Sequence, residues 1–175
     1  VPRDQDNTYP SPRQTILPRD EHSISRRDIS QSALKVLYKL NEAGFDAYLV
    51  GGGVRDIFLN LHPKDFDIAT NATPEEVKKV FSNARIIGRR FKIVHVKFGK
   101  EIIEVTTFRA GHTTDSCETH EAAKSESGVL LRDNVYGTVE EDALRRDFTA
   151  NALYYTVNNF EVHDYTSGLT DIANR

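Results

Sequence analysis

The chain has 175 residues, 38% of them hydrophobic and 28% charged, with a formal net charge of −3; this composition fits one globular domain large enough to bury a core. No apolar run approaches the roughly 18 residues a membrane crossing needs, and no basic-then-apolar leader opens the chain, so neither a transmembrane segment nor secretion is expected. A single cysteine, Cys117, excludes an internal disulfide framework and fits a reducing cytoplasm, while the slight acidity requires any polyanionic partner to meet a local basic patch.

Residues 1–22, "VPRDQDNTYPSPRQTILPRDEH", hold four of the six prolines and few apolar side chains, which predicts a flexible or extended arm ahead of a domain over 23–175. The absence of methionine adds the expectation of a processed chain or a piece of a longer one. From Ser30 to Gly44 the residues Ala33, Leu34, Leu37 and Leu40 recur at helical spacing, and Gly44 stands where a helix would stop. "DAYLV" (46–50) reads as a buried strand running into a glycine turn, Val54–Asn60 as a short helix and "DFDIAT" (65–70) as a second strand.

"TPEEV" is a helix start, with Thr73 as cap, Pro74 in the first helical position and Glu76 closing a capping box. "KIVHVKF" (92–98) and "EIIEVTTF" (101–108) flank Gly99-Lys100 as a β-hairpin. The polar stretch 110–128 reads as a mobile loop. "TVEEDALRRDF" repeats the capping logic with Thr138 and Glu141, and the last strands, around 153–157 and 160–164, turn at Asn158-Asn159. Helices mixed with hairpins predict an α/β chain of the α+β kind rather than a purely parallel doubly wound fold.

The chemistry begins with paired acids. On a strand Asp65 and Asp67 would share one face while Phe66 turns to the core. Two adjacent carboxylates repel, and a divalent cation between them would offset that cost; Mg²⁺ favours one or two carboxylates together with substrate phosphate oxygens. A site of two such ions, about 3.5–4 Å apart, activates an attacking hydroxyl and stabilises a leaving phosphate. Glu104, a charge inside the β-branched run "EIIEVTTF", supplies a third carboxylate.

Each motif also has an ordinary structural explanation. Asp-x-Asp arises by chance, Glu104 could guard an edge strand, and "GGGVRD" (51–56) could be a tight strand-to-helix turn. That glycine run lacks the spacing of a dinucleotide fold or a P-loop, yet glycines opening a helix expose N–H groups to phosphate and Arg55 adds a forked cation. In "RRDFTANAL" (145–153), Arg145 and Arg146 could pair with Glu141 and Asp142 one helical turn back, and Asp147 could cap the next helix. With Arg89, Arg90 and Arg109 these cations could instead line a cleft for a triphosphate and a nucleic-acid 3′ end. His112, Cys117 and His120 have irregular spacing and no evident fourth ligand, so structural zinc is not expected.

Taken together, "LVGGGVRD…DFDIAT…EVTTFR…RRDFTANAL" resembles the catalytic head of the nucleotidyltransferase superfamily that includes DNA polymerase β. More narrowly it resembles the class II group of bacterial poly(A) polymerases and tRNA nucleotidyltransferases (CCA-adding enzymes), from about residue 22 onward. "GGGVRD", "IIGRRFKIVHVKFG" and "LLRDNVYGTVEEDALRRDFT" lean toward the poly(A) polymerase branch, as do "ISRRDISQSALKVLYKLNEAGF" and the length of the 110–128 loop.

The resemblance implies a polymerase-β-like head with a mixed, largely antiparallel sheet flanked by helices. It implies two Mg²⁺ ions, or Mn²⁺, on Asp65 and Asp67, with Glu104 aligning and deprotonating an RNA 3′-hydroxyl. Gly51, Gly52 and Arg55 would take the triphosphate, Arg146 and Asp147 the phosphate and ribose, and Asn151 the ribose or phosphate; Asp147 also belongs to the family's acid set in some descriptions. The expected partners are ATP and RNA 3′ ends, for a monomeric cytoplasmic enzyme. In this group a helical neck beyond the head reads the base, so this chain is expected to hold the chemistry and little of the base choice. Two rivals remain: a CCA-adding enzyme with the same core, and a catalytically idle RNA-binding module. The second would be expected to have lost one of Asp65, Asp67 and Glu104, and all are present.

Overall fold

The computed structural model describes residues 14–110 and 136–174. In chain order these form β1 (Thr15–Leu17), α1 (Gln31–Glu42), β2 (Ala47–Val50), α2 (Gly52–Phe58), β3 (Asp67–Thr70), α3 (Pro74–Val80), β4 (Ala84–Ile87), β5 (Ile93–Phe98) and β6 (Glu101–Thr107). After the segment 111–135 follow α4 (Val139–Leu144), a 3-10 turn over Thr149–Asn151, β7 (Leu153–Tyr155), β8 (Val162–Asp164) and α5 (Gly168–Ala173). The strands build a single eight-stranded sheet in the order β1-β8-β7-β2-β3-β6-β5-β4. Its pairs are antiparallel except β3 with β6, which run parallel. The mixed, largely antiparallel sheet that the resemblance implies is the one observed.

Strand alternation divides the core in two. Leu49, Ile68, Ile103 and Val105 turn to the face where α1 packs with Ala33, Leu34, Val36, Leu37 and Leu40, all buried. Each of these leucines contributes about 1.5–3 kcal/mol by leaving water. The neighbouring residues Val50 and Ala69 turn to the other face, where they meet Phe108, Ala143 of α4 and Tyr154. Asp67 shares its parity with Ala69, so it lies on this second face. α1 starts at the Ser30 cap, whose side chain accepts from Ala33 N, and it ends before Gly44 at φ +90°. Both halves of the Thr73–Glu76 capping box are formed; at Thr138 and Glu141 the Thr138 half is formed.

Several boundaries differ from expectation. α2 begins at Gly52 rather than Val54, because Gly51 alone makes the reversal (φ +75°, ψ −149°) and the next glycines are already helical. β3 begins at Asp67, so Asp65 precedes the strand instead of lying on it, although Asp65 and Asp67 are exposed and Phe66 between them is buried as alternation requires. Ala84–Ile87, passed over in the sequence, is an edge strand against β5. Thr15–Leu17, inside the expected arm, pair with β8; residues 1–13 lie outside the described residues, as do 111–135, with the expected loop and the His112, Cys117 and His120 group. No described helix is long and apolar enough to cross a membrane.

Candidate active site

The acids meet through strand register. Parallel pairing of β3 with β6 sets Asp67 opposite Glu104 as Cα partners, and Ala69 opposite Thr106, so both carboxylates rise from the second face. β5 sets His95 opposite Glu104 on its other side, with Nε2 3.7 Å from Oε2. Asp65 joins from the turn ahead of β3: with Gly52, Gly53, Asp56 and Asp67 it borders an open cleft of about 520 Å³. Part of Asp67 reaches solvent, but burial of its carboxyl raises its pKa above the ordinary value. Glu104 and Asp65 push the same way, and Arg146 opposes them.

Like charges held this close together are a donor set that suits a hard divalent cation, since carboxylate oxygens are the ligands such ions take. Asp65 and Asp67 fit that role chemically. Among the described residues no group of three or more His, Cys, Asp and Glu side chains is gathered closely enough to form a ligand cage by itself.

The glycine turn closes the cleft from α2. A Cβ on Gly52 would stand 3.2 Å from Arg55 Nη2, so a bare backbone here gives the guanidinium its room. Arg55 spends three of its N–H groups inside the protein: Nε and Nη2 donate to Asp56 Oδ1 at 3.0 and 2.8 Å, and Nη1 donates to Asn151 Oδ1 at 2.9 Å. Asn151 closes the 3-10 turn after α4. The two residues expected to touch nucleotide are therefore bonded to each other, which ties the glycine turn to the Arg-Arg-Asp segment.

That segment borders a second cleft, of about 380 Å³, lined by Arg145, Arg146, Asp147, Phe148 and Asn151. Both arginines turn back to Asp142, whose side chain is fully buried. Arg145 reaches Oδ1 at 2.8 Å and Arg146 reaches Oδ2 at 3.1 Å. The expected pairing of Arg146 with Asp142 is present, whereas Arg145 also goes to Asp142 and not to Glu141. Tyr154 Oη donates to Asp142 Oδ2 at 2.7 Å and accepts from Arg146 Nε at 3.0 Å. Burial alone would raise the Asp142 pKa. Arg146 foremost, then the Tyr154 hydroxyl, Arg145 and the Arg109 N–H outweigh it, so the carboxyl sits below its ordinary value.

Asp147 is exposed at the cleft and does not cap the following turn, whose cap residue is Phe148. Sequence reasoning missed Tyr154 and His95 and took Asp142 only as a surface pair. His95 had a signal, since alternation in "IVHVKF" puts it on the face opposite the buried Val94 and Val96, the parity that Glu104 has in its own strand; Tyr154 looks like any aromatic in an apolar strand.

Residues 47–175 match the family described as the poly A polymerase head domain. Poly(A) polymerase I of Salmonella typhimurium is 57% identical over 161 residues, 92% of this chain and 35% of that protein. The CCA-adding enzyme of Listeria innocua is 45% identical over 148 residues, 85% of this chain and 35% of that protein. The crystal structure of the Bacillus stearothermophilus CCA-adding enzyme in complex with CTP matches with a TM-score of 0.62 and 34% identity, covering 83% of this chain and 32% of that one.

Sheet order, facing acids and glycine turn thus define a nucleotidyltransferase head of the kind that poly(A) polymerases and CCA-adding enzymes share. Within that class, the chain belongs to the poly A polymerase head domain family. It spans about a third of the length of the curated relatives it matches (35%).

Proposed function

We propose that this head serves a bacterial-type poly(A) polymerase, which transfers AMP from ATP to an RNA 3′ end and releases pyrophosphate. The observation that carries the reading is the facing of Asp67 and Glu104 beside a cleft that also holds Asp65 and Gly52. The 57% identity with poly(A) polymerase I supports this branch.

In this reading Asp65 and Asp67 hold Mg²⁺ or Mn²⁺. The ions, when bound, lower the charge on the reacting phosphate and sharpen the nucleophilicity of the hydroxyl. Glu104 orients the RNA 3′-hydroxyl and accepts its proton. Gly51 and Gly52 let the backbone approach the triphosphate, and Arg55 braces that turn while its remaining N–H groups reach phosphate. Arg146, Asp147 and Asn151 hold phosphate and ribose from the second cleft. The protein contributes position and charge, and no covalent intermediate is required. Such an enzyme works in the cytoplasm as a monomer.

A CCA-adding enzyme is the second reading, favoured by the 45% identity with the Listeria innocua protein. The deciding experiment offers the full-length protein each nucleoside triphosphate with either generic RNA or tRNA lacking its 3′ CCA. ATP-dependent extension of generic RNA is expected; CTP incorporation into the tRNA would overturn the choice. An idle RNA-binding module would extend neither.

A further inference from the structure

We propose that Asp142, together with the Tyr154 hydroxyl, is a positioning residue for the nucleotide, holding the Arg146 guanidinium edge-on so that its outer edge faces the incoming phosphate. The inference rests on the reading of Arg146 as a phosphate ligand.

The geometry argues for a built device. Asp142 and Tyr154 are both fully buried (0% exposed), whereas 18% of the Arg146 side chain reaches the cleft. Arg146 uses Nε and Nη2 toward the interior: Nε donates to Tyr154 Oη at 3.0 Å and to Asp142 Oδ2 at 3.3 Å, and Nη2 donates to Asp142 Oδ2 at 3.1 Å. Those atoms form one edge of a planar fork, so Nη1, which bonds no described residue, lies on the edge turned away from the carboxylate. The guanidinium also lies over the Tyr154 ring, 5.6 Å from its centroid. Tertiary packing thus restricts the orientation of a side chain that would otherwise sample many rotamers, and less ordering remains to be done when phosphate binds.

Arg145 shares the same carboxylate. One buried carboxylate faces two guanidinium groups, since Arg145 donates from Nε and Nη2 to Oδ1 at 3.2 and 2.8 Å. Asp142 offsets one of these positive charges and Asp147, exposed in the same cleft, faces the other, so what the cleft offers an anion is the orientation of the Arg146 donors rather than a surplus of charge. The Arg109 N–H also donates to Oδ1 at 3.1 Å, so the same carboxylate ties the exit of β6, the Glu104 strand, to α4. A purely structural anchor for α4 could be built from Tyr154 and the Arg109 N–H without two cations.

The test is calorimetric titration of ATP with Mg²⁺ into this chain, with melting curves, for Arg146→Ala, Asp142→Asn, Tyr154→Phe and the doubles Asp142→Asn/Arg146→Ala and Tyr154→Phe/Arg146→Ala. Arg146→Ala should weaken binding about tenfold, or about 1.4 kcal/mol. Asp142→Asn should approach that loss and Tyr154→Phe should weaken binding severalfold. Neither should add more than about twofold in the Arg146→Ala background, because contacting residues that act through one another are non-additive. Unchanged affinity in Tyr154→Phe and Asp142→Asn with lowered melting points, or effects that add fully to Arg146→Ala, would overturn the inference and leave Asp142 an anchor. If Asp142→Asn does not fold, the Tyr154→Phe pair decides. Unchanged affinity in Arg146→Ala alone would sink the phosphate reading, separately identified because neither Asp142 nor Tyr154 is altered.

Discussion

Asp67 and Glu104 are direct partners across the parallel pair of β3 and β6, 37 residues apart in sequence and on one face of the sheet. Parallel neighbours in register put side chains about 4.8 Å apart, so two carboxylates there repel unless a cation joins them. The raised Asp67 pKa records that tension, after burial as its leading cause.

Asp67→Asn and Asp65→Asn should therefore abolish adenylation in the full-length enzyme while leaving the head folded. Losing a metal-binding carboxylate removes several kcal/mol of transition-state stabilisation. Both side chains are exposed, so melting points should shift little. Near-normal turnover in either variant at matched Mg²⁺ would remove the two-ion assignment.

Asn151→Ala deletes the acceptor of Arg55 Nη1. Loss of that bond should cost about 1 kcal/mol of stability and let the glycine turn move against the second cleft. Triphosphate binding should weaken with it. Arg55→Lys should keep the charge but lose the link, because an ammonium lacks the fork that reaches Asp56 and Asn151 together. Calorimetry and thermal melts on both variants check this, and wild-type binding by Asn151→Ala would deny the brace.

Acid should act through Asp142. Its folded pKa lies below the ordinary carboxyl value of 3.8, so its ion pairs contribute stability that is fully present above the unfolded pKa. That contribution is lost as pH falls through the folded value. The chain should lose stability more steeply below about pH 4 than Asp142→Asn, whose baseline is lower and whose acid limb is flatter. Denaturant midpoints across pH 2–7 would show it; parallel curves for the two proteins would contradict it.

The residues proposed for phosphate and ribose all lie in this chain, and none of them is assigned to the base. ATP and CTP should bind the isolated 175 residues with affinities within about tenfold of each other, a difference under about 1.4 kcal/mol, and RNA should bind poorly. Titrations with the four nucleoside triphosphates measure this. A larger preference for ATP would show that the head reads the base itself.

Much of the molecule was legible because the deciding interactions are local. Ser30, Thr73 with Glu76, and Thr138 cap helices through bonds spanning three residues, and the β5–β6 hairpin turns on adjacent residues. The order of the motifs, through the family resemblance it carries, singled out the acids and the glycine turn as the candidate site. What the sequence could not decide were contacts between distant segments, where burial and register choose the partner. Nothing local tells Thr15–Leu17 to join β8, or starts β3 at Asp67 and leaves Asp65 in the turn before it. Nothing local directs Arg55 to Asn151, 96 residues on, in place of open solvent. Asp142 reads as one more acid on a charged helix until packing removes its water. Once buried, its carboxylate must collect every donor within reach: the two arginines just after α4 are local, but the Arg109 N–H beyond β6 and the Tyr154 hydroxyl of β7 are brought to it only by the folded chain.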